Sequence, residues 1–407
     1  MELNAYQSGE AGGNAYVTIR ERPRRCTNDA FSFWKLPEPW RGELEALIDE
    51  SERRARYYLY EEYLDDRSRK PTWLLSCYYG VKHLIPAAMR HKLNSVAIHA
   101  RRRLTFPDWP CEDSLLRLWR QWLSAFLFRL DVSDGWHIGF WPEGHDCCIV
   151  LTHDVESSAG IACMERMADV EERHGFRSAW NLPLDQYPID WNQVERLRLR
   201  GFEFGAHGLR HDGKLFRSNG HFLALAPRLQ ELAKQHQLRG FRAPSTLRRV
   251  EWIPRLGFDF DSSFSDTDIF EPQPGGTCSI FPFFVGDTVE LPYTLPQDHT
   301  LIHLLNQNPL PVWIRKIKWL SSMGGMILTL THPDYSGEGA RLNDYEELLK
   351  RLAAVQRSWR ALPSEVATWW RQRAALELYV HAGKPMISGS DTAGASARLL
   401  STEPLVH

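Results

Sequence analysis

Residues 147–156, which read Cys-Cys-Ile-Val-Leu-Thr-His-Asp-Val-Glu, begin as an apolar run and end in titratable side chains. A short continuous apolar run predicts a strand that is buried on both faces, as in a parallel sheet covered by helices. In such sheets the reactive groups lie at the carboxyl ends of the strands. This stretch therefore predicts an α/β fold and also indicates where a functional site would lie.

Similar apolar runs recur along the chain and alternate with helical patterns. Further runs lie at 177–182, 202–206, 238–241, 258–261, 289–291 and 326–331. Helix candidates lie between them at 163–174, 192–200, 223–236, 247–256 and 312–323. Strands that alternate with helices indicate βαβ units with parallel pairing. Seven such strands come close to the number in a (β/α) barrel.

The 407 residues are enough for more than one folding unit. We predict a flexible N-terminus at 1–30, a mostly helical region at 31–145 that packs on the rest of the chain, and a barrel with C-terminal helices at 146–380. Residues 381–407 are rich in small and polar side chains and predict a disordered tail.

The composition excludes several classes of protein. Lys plus Arg is 49 and Asp plus Glu is 51, a net charge of −2, which argues against a nucleic-acid partner or a polybasic membrane-surface protein. Seven cysteines without a C-x-x-C pair favour buried thiols over disulfides. No stretch suits a signal peptide or a membrane span, which predicts a cytoplasmic location. Nothing in the sequence specifies the oligomeric state.

Titratable residues follow several of the predicted strands. Asp154 follows the first, His207 and His211 the third, Arg242 the fourth and His332 the last. Two histidines four residues apart on a helical turn lie about 5–6 Å apart, which suits two ligands of one cation. Asp154 can supply a third ligand and leave a position for water, as in catalytic zinc sites. The alternative is a pair of surface or capping histidines.

Four other residues at strand ends are candidates for substrate contacts: Trp180, Asn181, Pro292 and Tyr293. An indole face can stack on a sugar ring, but Trp180 can equally be part of the core.

In this order, the motifs resemble those of the NodB-type polysaccharide deacetylases, a family of carbohydrate esterases. The family's first, second, third and fifth motifs are T-F-D-D, H-[ST]-x-x-H, R-x-P and L-x-H. They are matched by residues 151–154, 207–211, 242–244 and 330–332. Gly208 replaces the usual hydroxyl residue, and the fourth motif, at 261–264, lacks its Trp. Residues 106–110 and 367–371 are similar to a bacterial subgroup found with surface-polysaccharide enzymes.

The resemblance implies a distorted (β/α) barrel of about seven strands. It also implies that Asp154, His207 and His211 bind a divalent metal, usually zinc. His332 would be the general acid, and Arg242 would orient the base.

One position departs from the family pattern. The first Asp of T-F-D-D is the usual base, and His153 stands at that position. We predict that His153 acts as the base, because a neutral imidazole can accept a proton. The alternatives are that His153 is a fourth metal ligand, that Glu156 is the base, or that the site binds metal without catalysis.

The function predicted from these residues is metal-dependent removal of N-acetyl groups from an amino sugar of a polysaccharide or its precursor. Two alternatives stay open. One is hydrolysis of a small non-sugar amide, and the other is a catalytically silent protein that binds or assembles glycans.

Overall fold

The computed structural model describes residues 27–64, 105–133 and 135–400. The strands are β1 (Gly135–Ile138), β2 (Cys147–Asp154), β3 (Ser178–Leu182), β4 (Glu203–Ala206), β5 (Gly240–Phe241), β6 (Phe260–Asp261), β7 (Phe283–Val285), β8 (Thr288–Glu290), β9 (Met326–Thr331), β10 (Ser358–Arg360), β11 (Glu377–His381), β12 (Lys384–Ser388) and β13 (Ala397–Leu400). The helices are α1 (Ala30–Trp34), α2 (Arg41–Leu59), α3 (Ser114–Arg129), α4 (Ser158–Arg173), α5 (Trp191–Leu199), α6 (Asn219–Gln235), α7 (Pro309–Ser322), α8 (Pro333–Ser336), α9 (Gly339–Ala353) and α10 (Pro363–Ala375). A short π-helix spans His299–Leu304.

The main sheet runs in the order β9-β2-β3-β4-β5-β6-β8-β7, and β10 pairs with the start of β2. All pairs are parallel except the hairpin of β7 and β8. Beyond β8, the N–H groups of Thr294 and Leu295 donate to the carbonyl of Leu328 on β9, at 3.1 and 3.0 Å. The curled sheet therefore closes into a distorted (β/α) barrel, and the predicted fold class and all seven predicted strands are confirmed.

Local sequence signals set where the helices around the barrel begin. Ser157 caps α4 and Ser218 caps α6, each accepting a backbone N–H in the first turn. Asn308 caps α7, whose first residue is Pro309. Because these helices return the chain to the same end of the barrel, the carboxyl ends of the parallel strands meet at one face.

The N-terminal helices share the hydrophobic core of the barrel. Phe33 of α1 stacks on Trp119 of α3 at 3.8 Å between ring centroids and meets Phe281 edge-on. The Asn28 side chain exchanges two hydrogen bonds with the backbone of Phe284 on β7, at 2.7 and 2.9 Å. The predicted segments 1–30 and 31–145 are described only in part, since 1–26, 65–104 and 134 lie outside the described residues.

Two predictions of local structure are wrong. The helix expected at 247–256 is only a 3-10 turn at Ile253–Leu256, because the buried Arg248 side chain binds the carbonyls of Thr246 and Gln273 and holds its segment in another conformation. The tail expected to be disordered from 381 forms β12 and β13, up to residue 400. These strands pair with β11 and β1, and composition cannot reveal such long-range pairing. Residues 401–407 lie outside the described chain.

Within the described ranges, none of the helices has the length and apolar character that a membrane crossing requires.

Candidate active site

Three side chains meet at the carboxyl ends of β2 and β4. The potential ligand atoms of Glu156, His207 and His211 all lie within 4.8 Å of one another. His211 Nε2 is 2.9 Å from Glu156 Oε1, and the two imidazole rings are 5.3 Å apart between centroids. Two imidazole nitrogens and a carboxylate oxygen are a suitable set for a divalent metal ion.

The state of His207 is determined by its surroundings. Its Nδ1–H donates to the carbonyl oxygen of Arg242 at 3.0 Å, so its Nε2 carries the lone pair. That Nε2 is buried and has no hydrogen-bond partner in the part of the chain described. Burial lowers the pKa of His207 to about 4, which keeps the ring neutral. A buried, neutral imidazole with an unused lone pair is what a metal ligand requires.

Asp154, the predicted third ligand, lies beside this group and not within it. Its Oδ2 is 3.8 Å from His207 Nε2. Its Oδ1 accepts hydrogen bonds from Asn181 Nδ2 at 2.9 Å and from Arg242 Nη1 at 3.3 Å. In the structure, the carboxylate next to both His207 and His211 is that of Glu156. The sequence gives one indication of the position of Glu156. Alternate residues of an extended segment share a face, so Glu156 is expected on the same side as Asp154.

Arg242 fixes Asp154 from inside the barrel. The guanidinium is fully buried and donates to Thr152 Oγ1 at 2.8 Å, and to the Ser262 carbonyl and hydroxyl at 2.7 and 2.6 Å. Burial raises the pKa of Asp154, but the charges of Arg242 and protonated His332 and the hydrogen bond from Asn181 outweigh burial and lower it below its usual value. Asp154 is therefore an ionised carboxylate in a fixed orientation.

His332 at the end of β9 faces the group from the other side. Its Nδ1–H donates to Asp298 Oδ1 at 2.6 Å, and its Nε2 lies 3.8 Å from Glu156 Oε1. Burial lowers the pKa of His332, but the Asp298 carboxylate more than offsets this and raises it to about 10. His332 therefore presents a protonated Nε2 to the site. Sequence reasoning missed Asp298, which precedes the π-helix and follows no apolar run.

His153 faces away from these groups, which contradicts its prediction as base or fourth ligand. Its Nε2 is 2.7 Å from Glu171 Oε1 on α4, and its Nδ1 is 2.8 Å from Thr331 Oγ1 on β9. The ring is fully buried and stacks on Trp180 at 4.1 Å. Because side chains alternate along a strand, His153 must point opposite to Thr152 and Asp154.

The four predicted substrate contacts do not form an open surface. Trp180 is fully buried against His153, and Tyr293 and Pro292 are also buried. Asn181 holds Asp154. This contradicts their assignment as substrate-binding residues. Both faces of the sheet are covered, so a residue at the end of a strand can be enclosed in the core.

Tyr335 and His303 lie next to the site instead. The Tyr335 hydroxyl donates to Glu156 Oε2 at 3.0 Å, and its ring is 4.6 Å from the exposed ring of His303. Both residues belong to short turns, α8 and the π-helix, that have no periodic sequence pattern.

Gln186 connects the two loops that carry the potential metal ligands. Its Nε2 donates to the backbone carbonyl of Glu156 at 2.6 Å, and its Oε1 accepts the backbone N–H of His211 at 2.5 Å. Asp334 accepts the backbone N–H of Glu156 at 2.9 Å. Side-chain bonds to the backbone therefore hold the ligand-bearing segments in register.

Comparisons with known proteins find similarity to solved structures at low sequence identity. The sequence matches no family model, and no curated protein matches it. Among solved structures, the chain is similar to a protein from Mycobacterium smegmatis assigned as a polysaccharide deacetylase, with 19% identity and a TM-score of 0.49 over 57% of this chain and 92% of that one.

Two further solved structures are similar. A Pseudomonas aeruginosa protein, also assigned as a polysaccharide deacetylase, has 14% identity and a TM-score of 0.44 over 56% of this chain and 91% of that one. The allantoinase PuuE has 12% identity and a TM-score of 0.44 over 56% and 92%. These identities and TM-scores are too low for the similarity to indicate a function.

Proposed function

We propose that the protein is a metal-dependent hydrolase that removes N-acetyl groups from an amino sugar of a polysaccharide or its precursor. One observation carries the proposal. The buried Nε2 of His207, which has no hydrogen-bond partner among the described residues, lies with His211 and Glu156 between a fixed carboxylate, Asp154, and a protonated imidazole, His332. A metal site with a base on one side and an acid on the other is suited to amide hydrolysis.

Glu156, His207 and His211 would hold the metal ion. Their two nitrogens and one carboxylate oxygen suit zinc, and three protein ligands leave a position open to water or substrate. When bound there, such an ion polarises the acetyl carbonyl and lowers the pKa of water.

Asp154 acts as the general base in this proposal. Asn181 and Arg242 hold its Oδ1, while its Oδ2 faces His207 Nε2 at 3.8 Å. The carboxylate accepts a proton from the attacking water, and its fixed orientation avoids reorganisation during the reaction. Asp154 thus takes the role that the sequence assigned to His153.

His332 acts as the general acid. Its Nε2 proton passes to the nitrogen of the departing amine, which is a poor leaving group unless it is protonated. Asp298 binds the opposite ring nitrogen, so it orients the imidazole and stabilises its charged form.

The ring surfaces beside the site support a sugar as substrate. The Tyr335 hydroxyl donates a hydrogen bond to Glu156, and the adjacent His303 ring is exposed. Aromatic faces at this position can pack against a pyranose ring. The alternative of a silent glycan-binding protein rested on His153, and it loses that support because Asp154 supplies a carboxylate.

The test combines metal analysis with acetate release. The purified, zinc-loaded protein should bind about one ion per chain and release acetate from N-acetylglucosamine oligomers, but not open small cyclic amides. Asp154→Asn is the matched variant, since it should keep the metal and lose acetate release. Hydrolysis of the cyclic amides alone would favour the non-sugar alternative, and metal loading without any hydrolysis would overturn the proposal.

A further inference from the structure

A cavity of about 220 Å³ lies between α1 and α10 and is separate from the residues of the active site. Its walls include the aromatic side chains of Phe33, Trp119, Phe283 and Trp370. Its charged lining consists of Lys35, Glu38, Arg41, Arg373 and Glu377. Two of these cations, Lys35 and Arg373, are almost completely buried, with exposed fractions of 6% and 2%.

The Lys35 ammonium group donates one hydrogen bond within the part of the chain that the structure describes. Lys35 follows α1 in a left-handed conformation, with φ of 52°, and its Nζ donates to the carbonyl oxygen of Ala374 at 3.0 Å. Among residues 27–64, 105–133 and 135–400, no carboxylate forms an ion pair with it. Two of its three donor positions therefore have no partner among these residues, and Lys35 lines the cavity.

Within the described residues, Arg373 donates its hydrogen bonds to backbone carbonyls, and its guanidinium lies over the rings of Phe140 and Trp370, at 4.9 and 5.2 Å. Its Nε donates to Gly139 at 2.9 Å, and its Nη2 donates to Phe33 and Ile138 at 2.9 and 2.8 Å. Its Nη1 has no hydrogen bond within the described ranges, although the residue lines the cavity. The guanidinium therefore keeps one free amino group for a ligand.

The carboxylates at the cavity have other partners. Glu38 accepts two hydrogen bonds from Arg41, at 2.9 and 3.2 Å, and Glu377 accepts one from the Tyr379 hydroxyl at 3.0 Å. The carbonyls that Lys35 and Arg373 contact supply only partial negative charge. Burial, together with the neighbouring Arg373 charge, lowers the pKa of Lys35 to about 8, although the Glu38 carboxylate opposes this shift.

We propose that this cavity binds a small oxyanion, a carboxylate or phosphate group, between Lys35 Nζ and Arg373 Nη1. A third donor is at hand, because the buried Nε1–H of Trp119 has no hydrogen-bond partner in the described structure. Charge-assisted bonds from a guanidinium and an ammonium group are the usual means of binding such oxygens. An anion here links α1 to α10, and the proposal does not depend on the catalytic function.

The test measures anion binding by the full-length protein. Inorganic phosphate and acetate are titrated by calorimetry, each against sodium chloride at equal ionic strength. We expect one site per chain, and a rise of about 2–4 °C in the unfolding midpoint at saturation. Stronger binding of phosphate identifies a phosphate site, and stronger binding of acetate identifies a carboxylate site.

Four variants locate the bound anion. Lys35→Met should weaken binding about tenfold or more, because it removes a charge-assisted hydrogen bond. Lys35→Arg should keep binding, and Lys350→Met, an exposed lysine of α9, is the matched control. His207→Ala should also bind as the parent does, since the active site is elsewhere. An equal midpoint shift with chloride, or unchanged affinity in Lys35→Met, would overturn the proposal. Loss of binding in His207→Ala would also overturn it.

Discussion

Asp154 and His153 are adjacent in sequence but lie on opposite faces of β2. The Asp154 carboxylate meets Arg242 inside the barrel, at 3.3 Å, whereas the His153 imidazole meets Glu171 of α4, at 2.7 Å. Under the proposed function, this relationship assigns the base to Asp154 and a structural role to His153 within one motif. Asp154 faces the candidate metal ligands, and His153 joins the sheet to the surrounding helices.

Replacing these two neighbours should have different effects. Asp154→Asn should lower the turnover number for acetate release by about 10²–10⁴-fold, the usual contribution of a positioned base, with metal retained. His153→Phe should keep metal and most of the rate but destabilise the fold by roughly 1–3 kcal/mol, because Glu171 loses a buried partner. Steady-state rates, elemental analysis and denaturant unfolding check both. A folded, metal-loaded His153→Phe protein that is as slow as Asp154→Asn would contradict this assignment.

Asp298 should control the alkaline limb of the pH–rate profile. The general acid must be protonated, and the Asp298 carboxylate raises the pKa of His332. Without that charge, burial lowers the pKa, so the imidazole loses its proton at a lower pH. Asp298→Asn should therefore move the alkaline limb of kcat to lower pH, whereas Asp334→Asn, which alters a carboxylate that binds the Glu156 backbone, should not. An alkaline limb at the same pH in parent and Asp298→Asn would remove Asp298 from the mechanism.

Gln186 should set the metal affinity without touching the metal. Gln186→Ala removes the link between the Glu156 carbonyl and the His211 N–H. The Glu156 and His211 side chains are then no longer held in a fixed position relative to each other. We expect affinity to fall about 10–100-fold, as for other groups that orient metal ligands. Chelator competition on the apo protein measures this directly. Gln193→Ala, which removes a side-chain bond to Ile161 on the outside of the barrel, is the control and should bind metal normally.

Glu203 should make stability depend on pH. Burial raises the pKa of this carboxyl from 4.5 to about 7. A raised carboxyl pKa means that the folded state favours the protonated form of Glu203. The contribution of this carboxyl to folding stability is therefore complete below pH 4.5 and is lost as the pH rises to 7 and above. Glu203→Gln should therefore stabilise the protein by roughly 1–3 kcal/mol at pH 8 and change little at pH 4.5. Unfolding midpoints across this range check it. An equal effect at both pH values would contradict the buried-acid explanation.

Much of the fold and part of the site could be predicted because their signals are local. Apolar runs such as 326–331 coincide with strands since buried parallel strands need continuous apolar residues. The strand-end rule predicted that His207, His211, Arg242 and His332 lie at one face, because parallel strands bring their carboxyl ends together there. Asp298, Tyr335 and Gln186 could not be found in this way. They lie in turns without periodicity, and only the packing of those turns brings them to the site.

The sequence by itself determined that the chain alternates strands and helices and that its reactive groups gather at the ends of β2, β4, β5 and β9. It also determined that His153 and Asp154 point in opposite directions, since side chains alternate along a strand. Only the tertiary structure decided which of the two faces the barrel interior. Every residue of β2 is buried, and polar side chains lie on both of its faces, so the sequence does not mark which face is inward. The inward face is set by the groups that pack on each side. Arg242 receives Asp154 on one side, and Glu171 receives His153 on the other.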